Sequence, residues 1–150
     1  MPWSLPFAII LPLGVGVGAA WDLRHRRIPN QLVLAVAVAA PAALLLAGQG
    51  ALALVWHLPG AALVFLASFA LFVRGGMGGG DVKMLTAVAL WYPPADLARF
   101  VLVTALAGGV LAGLLLVAGR AGFARRGLLA EGVPYGAAAA VGLLAWPPVL

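Results

Sequence analysis

The sequence predicts an all-α, polytopic membrane protein with about six transmembrane helices in a single domain of residues 1–150. Of its residues, 65% are hydrophobic and 9% charged, and the mean hydropathy is +1.12, whereas soluble domains carry roughly 45–50% apolar and about 25% charged residues. Apolar runs also recur along the whole chain. A chain of this size cannot bury so much apolar surface away from water, so we expect lipid to cover it.

Six apolar runs approach or reach the roughly 20 residues that a helix needs to cross a bilayer. The first is interpreted as a retained helix and not a signal peptide, because no basic segment precedes it. Pro93 and Pro94 limit the fourth to about half a span, unless the glycine-rich segment before it contributes. The runs are Trp3 to Trp21, Gln31 to Leu46, Ala51 to Val73, Val82 to Trp91, Leu97 to Val117 and Val133 to Leu150.

The positive charges predict the orientation of these helices. All nine Lys and Arg residues except Arg99 fall in the first, third and fifth connections, and cytoplasmic loops carry the excess of such residues. We therefore expect both termini outside and the three basic connections in the cytoplasm. This topology puts Asp22, Asp81 and Glu131 on the cytoplasmic side and Asp96 in an outer loop.

The composition argues against several classes of protein. The basic residues separate apolar runs instead of forming one basic face, so nucleic-acid binding is not expected. With no cysteine in the chain, disulfides, thiolate catalysis and Cys-ligated zinc are excluded, and two distant histidines argue against a histidine metal site. His57, at the outer end of the third run, is interpreted as an interfacial residue. No metal and no organic cofactor are expected.

Asp22 is the first candidate catalytic residue. It directly follows the first apolar run, which puts it near a helix C-terminus, where the macrodipole disfavours a negative charge. Capping therefore does not explain it. The alternative is an interfacial carboxylate paired with a neighbouring arginine.

Asp81 is the second candidate, and it follows a segment with five glycines in six positions, Gly75 to Gly80. As an alternative, Asp81 is the N-cap of a helix that begins at Val82. Capping does not require so many glycines, however. Their density permits positive φ and the close approach of another chain, which suits a segment that receives an extended peptide beside a carboxylate.

Two carboxylates brought to one place from different loops suit an aspartyl protease that activates water. One carboxylate must be ionised to accept a proton from water, and the other must be protonated to polarise the scissile carbonyl. Like charges a few Å apart cannot both ionise readily, so such a pair titrates with two separated pKa values. Proximity alone thus creates the difference that the chemistry needs.

These residues resemble the type IV prepilin peptidase family, whose signature is an aspartate after the first helix and a second in a Gly-x-Gly-Asp motif. The segment Gly78 to Asp81 matches that motif, with Lys83 two residues later. Asp22 followed by Ile28-Pro29-Asn30 is similar to the first aspartate segment of the family. Val133-Pro134-Tyr135-Gly136 is similar to the element that opens its last helix.

The resemblance implies an aspartic endopeptidase of the inner (plasma) membrane, which cleaves the basic leader from type IV pilin-like precursors at the cytoplasmic face. Its partners would be that protein substrate and the lipid bilayer. Larger members carry a cytoplasmic insert, often with paired cysteines, and methylate the new N-terminus. This chain has neither feature, so it resembles the minimal, peptidase-only type that serves tight-adherence pili. The residues expected to shape the site or bind substrate are Gly78, Gly79, Gly80, Lys83, Pro134, Tyr135 and Gly136.

Two other classes of protein remain open at this point. A small membrane transporter or channel component could use paired carboxylates to bind cations or relay protons. A purely structural membrane scaffold is the third possibility. Cleavage of a pilin precursor that depends on both aspartates would separate the peptidase from these alternatives.

Overall fold

A computed structural model describes residues 4–25, 27–120 and 135–145, and these residues form helices joined by short turns. The predicted all-α class is confirmed. Within the described ranges, two segments, Leu52–Val73 and Pro94–Leu114, are long and apolar enough to cross a membrane. The helices are α1 Ser4–His25, α2 Asn30–Leu46, α3 Gly50–Val73, α4 Gly79–Ala89, α5 Pro94–Arg120 and α6 Tyr135–Ala145.

Two helices extend beyond the apolar runs that predicted them, and one predicted position is wrong as a result. Asp22 lies near the C-terminus of α1, as predicted, although the helix continues through Arg24 and His25. Basic residues in a last turn interact favourably with the helix dipole. Asp96 lies in the first turn of α5 and not in an outer loop. Pro94 suits a first helical position through its fixed φ, and an acidic residue is favourable near a helix N-terminus.

The short helix α4 lies at the centre of the bundle. It packs against α1, α2, α3 and α6, and most of its residues are buried. Its 11 residues correspond to about 16 Å, roughly half the thickness of the hydrocarbon core, as its sequence predicts. In contrast to the buried α4, the outer face of α3 is exposed. Leu52 and Leu63 are 71% and 67% exposed, which suits contact with lipid.

Two side-chain hydrogen bonds tie the C-terminal end of α4 to the neighbouring helices α3 and α2. The Nδ1–H of His57 donates to the Leu90 carbonyl oxygen at 2.9 Å, and the Nε1–H of Trp91 donates to the Val36 carbonyl oxygen at 3.0 Å. The last carbonyl groups of a helix have no acceptor role inside it, so the His57 bond satisfies one of them. His57 is itself buried. Its interpretation as an interfacial residue is therefore wrong.

α6 packs tightly against α5 at Gly142. A Cβ atom added there would overlap the hydroxyl oxygen of Thr104 and come within 3.2 Å of Phe100 Cε2. Both of these α5 side chains are buried, so they cannot move outward at low cost. Glycine at this position is what allows the two helices to pack.

We predict that Gly142→Ala destabilises the bundle by about 1–3 kcal/mol, the usual cost of overpacking a core. The measurement is thermal unfolding of the purified protein in detergent. Gly109→Ala is the matched control, because a Cβ atom at Gly109 would meet no atom within 4 Å. Equal melting temperatures for the two variants would contradict the packing role of Gly142.

Candidate active site

The glycine-rich segment first serves to end α3. Gly75 has a φ of +75°, and its N–H donates to the Phe72 carbonyl oxygen while the N–H of Gly76 donates to that of Leu71, both at 2.9 Å. This is the Schellman pattern of a helix C-terminus. Of the five glycines in the segment, Gly75 alone has positive φ, so the other four have different causes.

Asp81 lies in the first turn of α4 and is not its N-cap. The helix begins at Gly79, and Gly78 is the extended N-cap residue, whose carbonyl oxygen accepts the N–H of Asp81 at 3.1 Å and that of Val82 at 3.2 Å. The interpretation of Asp81 as the cap of a helix from Val82 is therefore wrong. A carboxylate in a first turn is favoured by the helix dipole.

The carboxyl group of Asp81 is buried and folds back over Gly78. The residue is 6% exposed, and a Cβ atom at Gly78 would come within 3.0 Å of Asp81 Oδ2. A larger residue at position 78 would therefore crowd the carboxylate. This contact accounts for the first glycine of the Gly-x-Gly-Asp motif.

The second glycine of the motif allows the segment after α1 to contact α4. A Cβ atom at Gly80 would lie 3.3 Å from Cβ and 3.4 Å from the backbone nitrogen of Ile28, and Ile28 is buried. We expected these glycines to leave room for a substrate chain. At Gly80 the structure fills that room with the protein's own segment, which packs beside the first turn of α4.

Two contacts join the segments that carry the aspartates, one on each side of them along the chain. On one side, a Cβ atom at Gly18 would come within 2.7 Å of Met84 Cε; on the other side, Gly80 meets Ile28. Asp22 lies between Gly18 and Ile28 in sequence, one turn beyond Gly18 on the same face of α1. Asp81 lies between Gly80 and Met84, one turn before Met84 on the same face of α4.

The pattern of contacts also shows that α1 and α4 run in opposite directions. Successive positions along α1 and its following segment, Gly18 and then Ile28, meet successively earlier positions of α4, Met84 and then Gly80. The two aspartates therefore lie at the same end of two neighbouring antiparallel helices. Asp22 is partly exposed, whereas Asp81 is buried.

Lys83 contacts the start of α2. It lies in the second turn of α4 and not in a connection as predicted, and its Nζ donates a hydrogen bond to Asn30 Oδ1 at 3.1 Å. Asn30 is the first residue of α2. The bond therefore joins α4 to the far end of the segment that Ile28 anchors.

The sequence alone assigned no role to Ile28 and Asn30. They were matched to a family element but given no task. Two features of the sequence could have indicated these roles: both residues follow Asp22 within eight positions, and Pro29 lies between Ile28 and Asn30. An isoleucine among basic residues of a connection indicates, from the sequence alone, that this position packs against the protein.

The last predicted site segment is described only in part. Pro134 and Glu131 lie outside the described residues, whereas Tyr135 and Gly136 begin α6. α6 packs against α1 and α4, the two helices that carry the aspartates. The role of Pro134, Tyr135 and Gly136 stays a prediction.

Two carboxylic acids at neighbouring helix ends can act as an acid and base pair. Over the described ranges, no group of three or more His, Asp or Glu side chains is placed to hold a metal ion. The chemistry that these residues can supply by themselves is proton transfer to and from a bound water.

A helical bundle with carboxyl groups at neighbouring helix ends can support chemistry on protons or water. Comparison with protein families narrows this range of chemistry: residues 9–113 match the type IV leader peptidase family, peptidase A24. The chain belongs to this family, as its motifs predicted, and has a peptidase function of the leader peptidase type. No curated protein and no solved structure matches it.

We predict that Gly80→Ala lowers peptidase activity about tenfold, because the new methyl group would displace the segment at Ile28, and sub-ångström to ångström shifts at a site cost one to two orders of magnitude. The measurement is the rate of cleavage of a prepilin-like precursor by the purified protein. Gly76→Ala is the matched control, since its Cβ atom would meet only the Leu71 carbonyl oxygen, at 3.6 Å. Equal rates for both variants would contradict the role assigned to Gly80.

We also predict that Lys83 and Asn30 are energetically coupled. Comparing Lys83→Ala, Asn30→Ala and the double variant should give a coupling of about 0.5–1.5 kcal/mol in the free energy of unfolding, the usual range for one hydrogen bond. In the matched cycle, Lys83→Ala is combined with Gln31→Ala, which alters an exposed neighbour of Asn30, and the effects should add. Additive effects in both cycles would show that the bond does not contribute.

Proposed function

We propose that this protein is an aspartic endopeptidase that removes the basic leader from type IV pilin-like precursors at the cytoplasmic face of the membrane. Asp22 and Asp81 are its catalytic pair. The observation that supports the proposal is the pair of contacts Gly18–Met84 and Gly80–Ile28, whose residues flank Asp22 and Asp81 along the two segments. Membership of the leader peptidase family supports the substrate class.

In the proposed mechanism one carboxyl group of the pair is ionised and the other is protonated, and each has a different role. The ionised carboxylate accepts a proton from water as the water oxygen attacks the scissile carbonyl carbon, while the protonated carboxyl group donates a hydrogen bond to the carbonyl oxygen. A tetrahedral intermediate forms. It collapses when the C–N bond breaks and the leaving nitrogen takes up a proton, which yields a carboxylic acid and an amine. Water and two carboxyl groups balance this reaction.

The proposed topology has six transmembrane helices and both termini outside, in the inner (plasma) membrane. Exposed arginines support it at the end of the bundle that carries the aspartates: Arg24 follows Asp22 in α1, and Arg74 ends α3. Asp96 and Arg99 lie at the opposite end, with Oδ1 and Nη1 3.7 Å apart. The excess of positive charge then faces the cytoplasm, and lipid covers the apolar outer faces.

We further propose that the enzyme is of the peptidase-only type that serves tight-adherence pili. The 150 residues contain no cysteine and no long polar insert, the two features that accompany methyl transfer in the larger members. Gly78, Gly79 and Gly80 would shape the site, with Lys83 holding it to α2. A transporter or channel role is not favoured, since the family match points to proteolysis.

We predict that Asp22→Asn and Asp81→Asn each lower the rate of precursor cleavage by about 10²–10⁴-fold, because each removes one partner in proton transfer. The assay follows the shift in precursor size after incubation with purified protein in lipid nanodiscs. Asp96→Asn is the matched control, since Asp96 lies near the other end of the bundle, beside Arg99, and it should cleave at the wild-type rate. Full activity of either Asp22→Asn or Asp81→Asn would overturn the two-aspartate mechanism.

A further inference from the structure

An apolar groove of about 560 Å³ lies between α3 and α5, with α4 at its base. On α3 it extends from Gly60 to Leu71, and on α5 from Pro94 to Ala105. Each of these segments is about 16 Å long, or three helical turns. The groove therefore has the length of a short helix segment.

The groove offers almost nothing to a polar ligand. Ser68 and Thr104 are the hydroxyl-bearing residues among its described lining. The Ser68 hydroxyl donates to the Val64 carbonyl oxygen of its own helix at 2.6 Å, and the Thr104 hydroxyl lies against Gly142 of α6. The occupant must therefore be apolar, which excludes a hydrated cation and the basic leader itself.

One end of the groove is closed and the other leads to the candidate active site. At the end away from the aspartates, Gly60 allows Leu97 to pack against α3, since a Cβ atom there would come within 2.5 Å of Leu97 Cδ2. At the opposite end, the lining includes Leu71, Met77 and Leu85. Leu71 belongs to the last turn of α3, next to the glycine-rich segment.

Asp81 lies at the junction between this groove and α1. One turn after Asp81, Met84 contacts α1 at Gly18, and the next residue, Leu85, lines the groove. Residues three and four positions apart are neighbours on a helix surface. The side chain of Asp81 is therefore on the face of α4 between the Asp22 side and the groove side.

We propose that this groove binds the first three turns of the substrate's own apolar helix, the residues that follow the scissile bond. This inference rests on the proposed function. A helix seated between α3 and α5 would bring its cytoplasmic end to Leu85 and Met77, one turn from Asp81. The small residues Ala67, Ala98 and Ala105 in the lining allow the close backbone approach that helix association in membranes requires.

The absence of cysteine from the chain makes disulfide cross-linking a clean test. Ala67→Cys in the groove is compared with Ala62→Cys, which changes another exposed alanine on the other side of α3. Both variants are made in the uncleaving Asp81→Asn background in nanodiscs. A prepilin-like precursor carries single cysteines at successive positions of its apolar helix. We expect oxidation to join Ala67→Cys to positions that recur every three to four residues within the first three turns, and Ala62→Cys to none of them.

A kinetic readout uses the enzyme with both aspartates intact. Ala67→Trp should fill the groove and raise KM for the precursor about tenfold, equivalent to about 1.4 kcal/mol of binding free energy, with kcat little changed. Ala62→Trp should leave both constants at wild-type values.

The outcomes separate this inference from the proposed function. If the wild type cleaves the precursor but Ala67→Cys and Ala62→Cys cross-link equally, the groove is not the substrate site and the proposed function stands. Cross-linking of Ala67→Cys to a second copy of itself, unaffected by precursor, would assign the groove to self-association. If neither variant cross-links although the wild type cleaves, lipid fills the groove. If the wild type never cleaves, both proposals fail together.

Discussion

The structure depends on one constraint: α4 is too short to cross a bilayer, so both of its ends must be satisfied by protein. An 11-residue helix reaches about half the hydrocarbon thickness, and unpaired backbone groups at that depth are costly. His57 supplies a donor to the Leu90 carbonyl group at one end. At the other end the chain turns through glycines, and Asp81 occupies the first helical turn. The surrounding helices are placed to bury this central element.

The same constraint explains the position of the buried carboxyl group. A helix N-terminus inside a bundle has unsatisfied N–H groups and a positive dipole end, and both favour a nearby carboxylate. Asp81 therefore lies at the end of α4 where the helix itself favours an acidic residue. Gly78 leaves space for its carboxyl group, and Gly80 admits Ile28. The second contact places the α1 segment with Asp22 alongside it, so the glycines of the motif align two helices as well as shaping a loop.

Much of this arrangement could be predicted from the sequence. The six helices coincide with the six apolar runs over the described residues, and the half-length of α4 follows from Pro93 and Pro94. Predictions failed where a helix end was decided by charges and caps instead of hydropathy, because an apolar run ends at the first polar residue although the helix continues. Lys83 was therefore placed in a connection and Asp96 in an outer loop, and Asp81 was considered as a cap. His57 was assigned to the interface, since a lone histidine in a sequence does not reveal a carbonyl group from another helix.

By itself, the sequence determined the helical class and the family motif, and it singled out Asp22 and Asp81 as the candidate pair. Composition, hydropathy and residue spacing are local properties that a chain carries without folding. Only the tertiary structure decided how the motif is used. It assigned Gly75 to a helix end, Gly78 to the space beside a carboxyl group and Gly80 to a contact between helices. It also showed that α4 has two different faces one turn after Asp81: Met84 contacts α1, and Leu85 lines the apolar groove. These are distances between segments far apart in the chain, and they exist only once the helices pack.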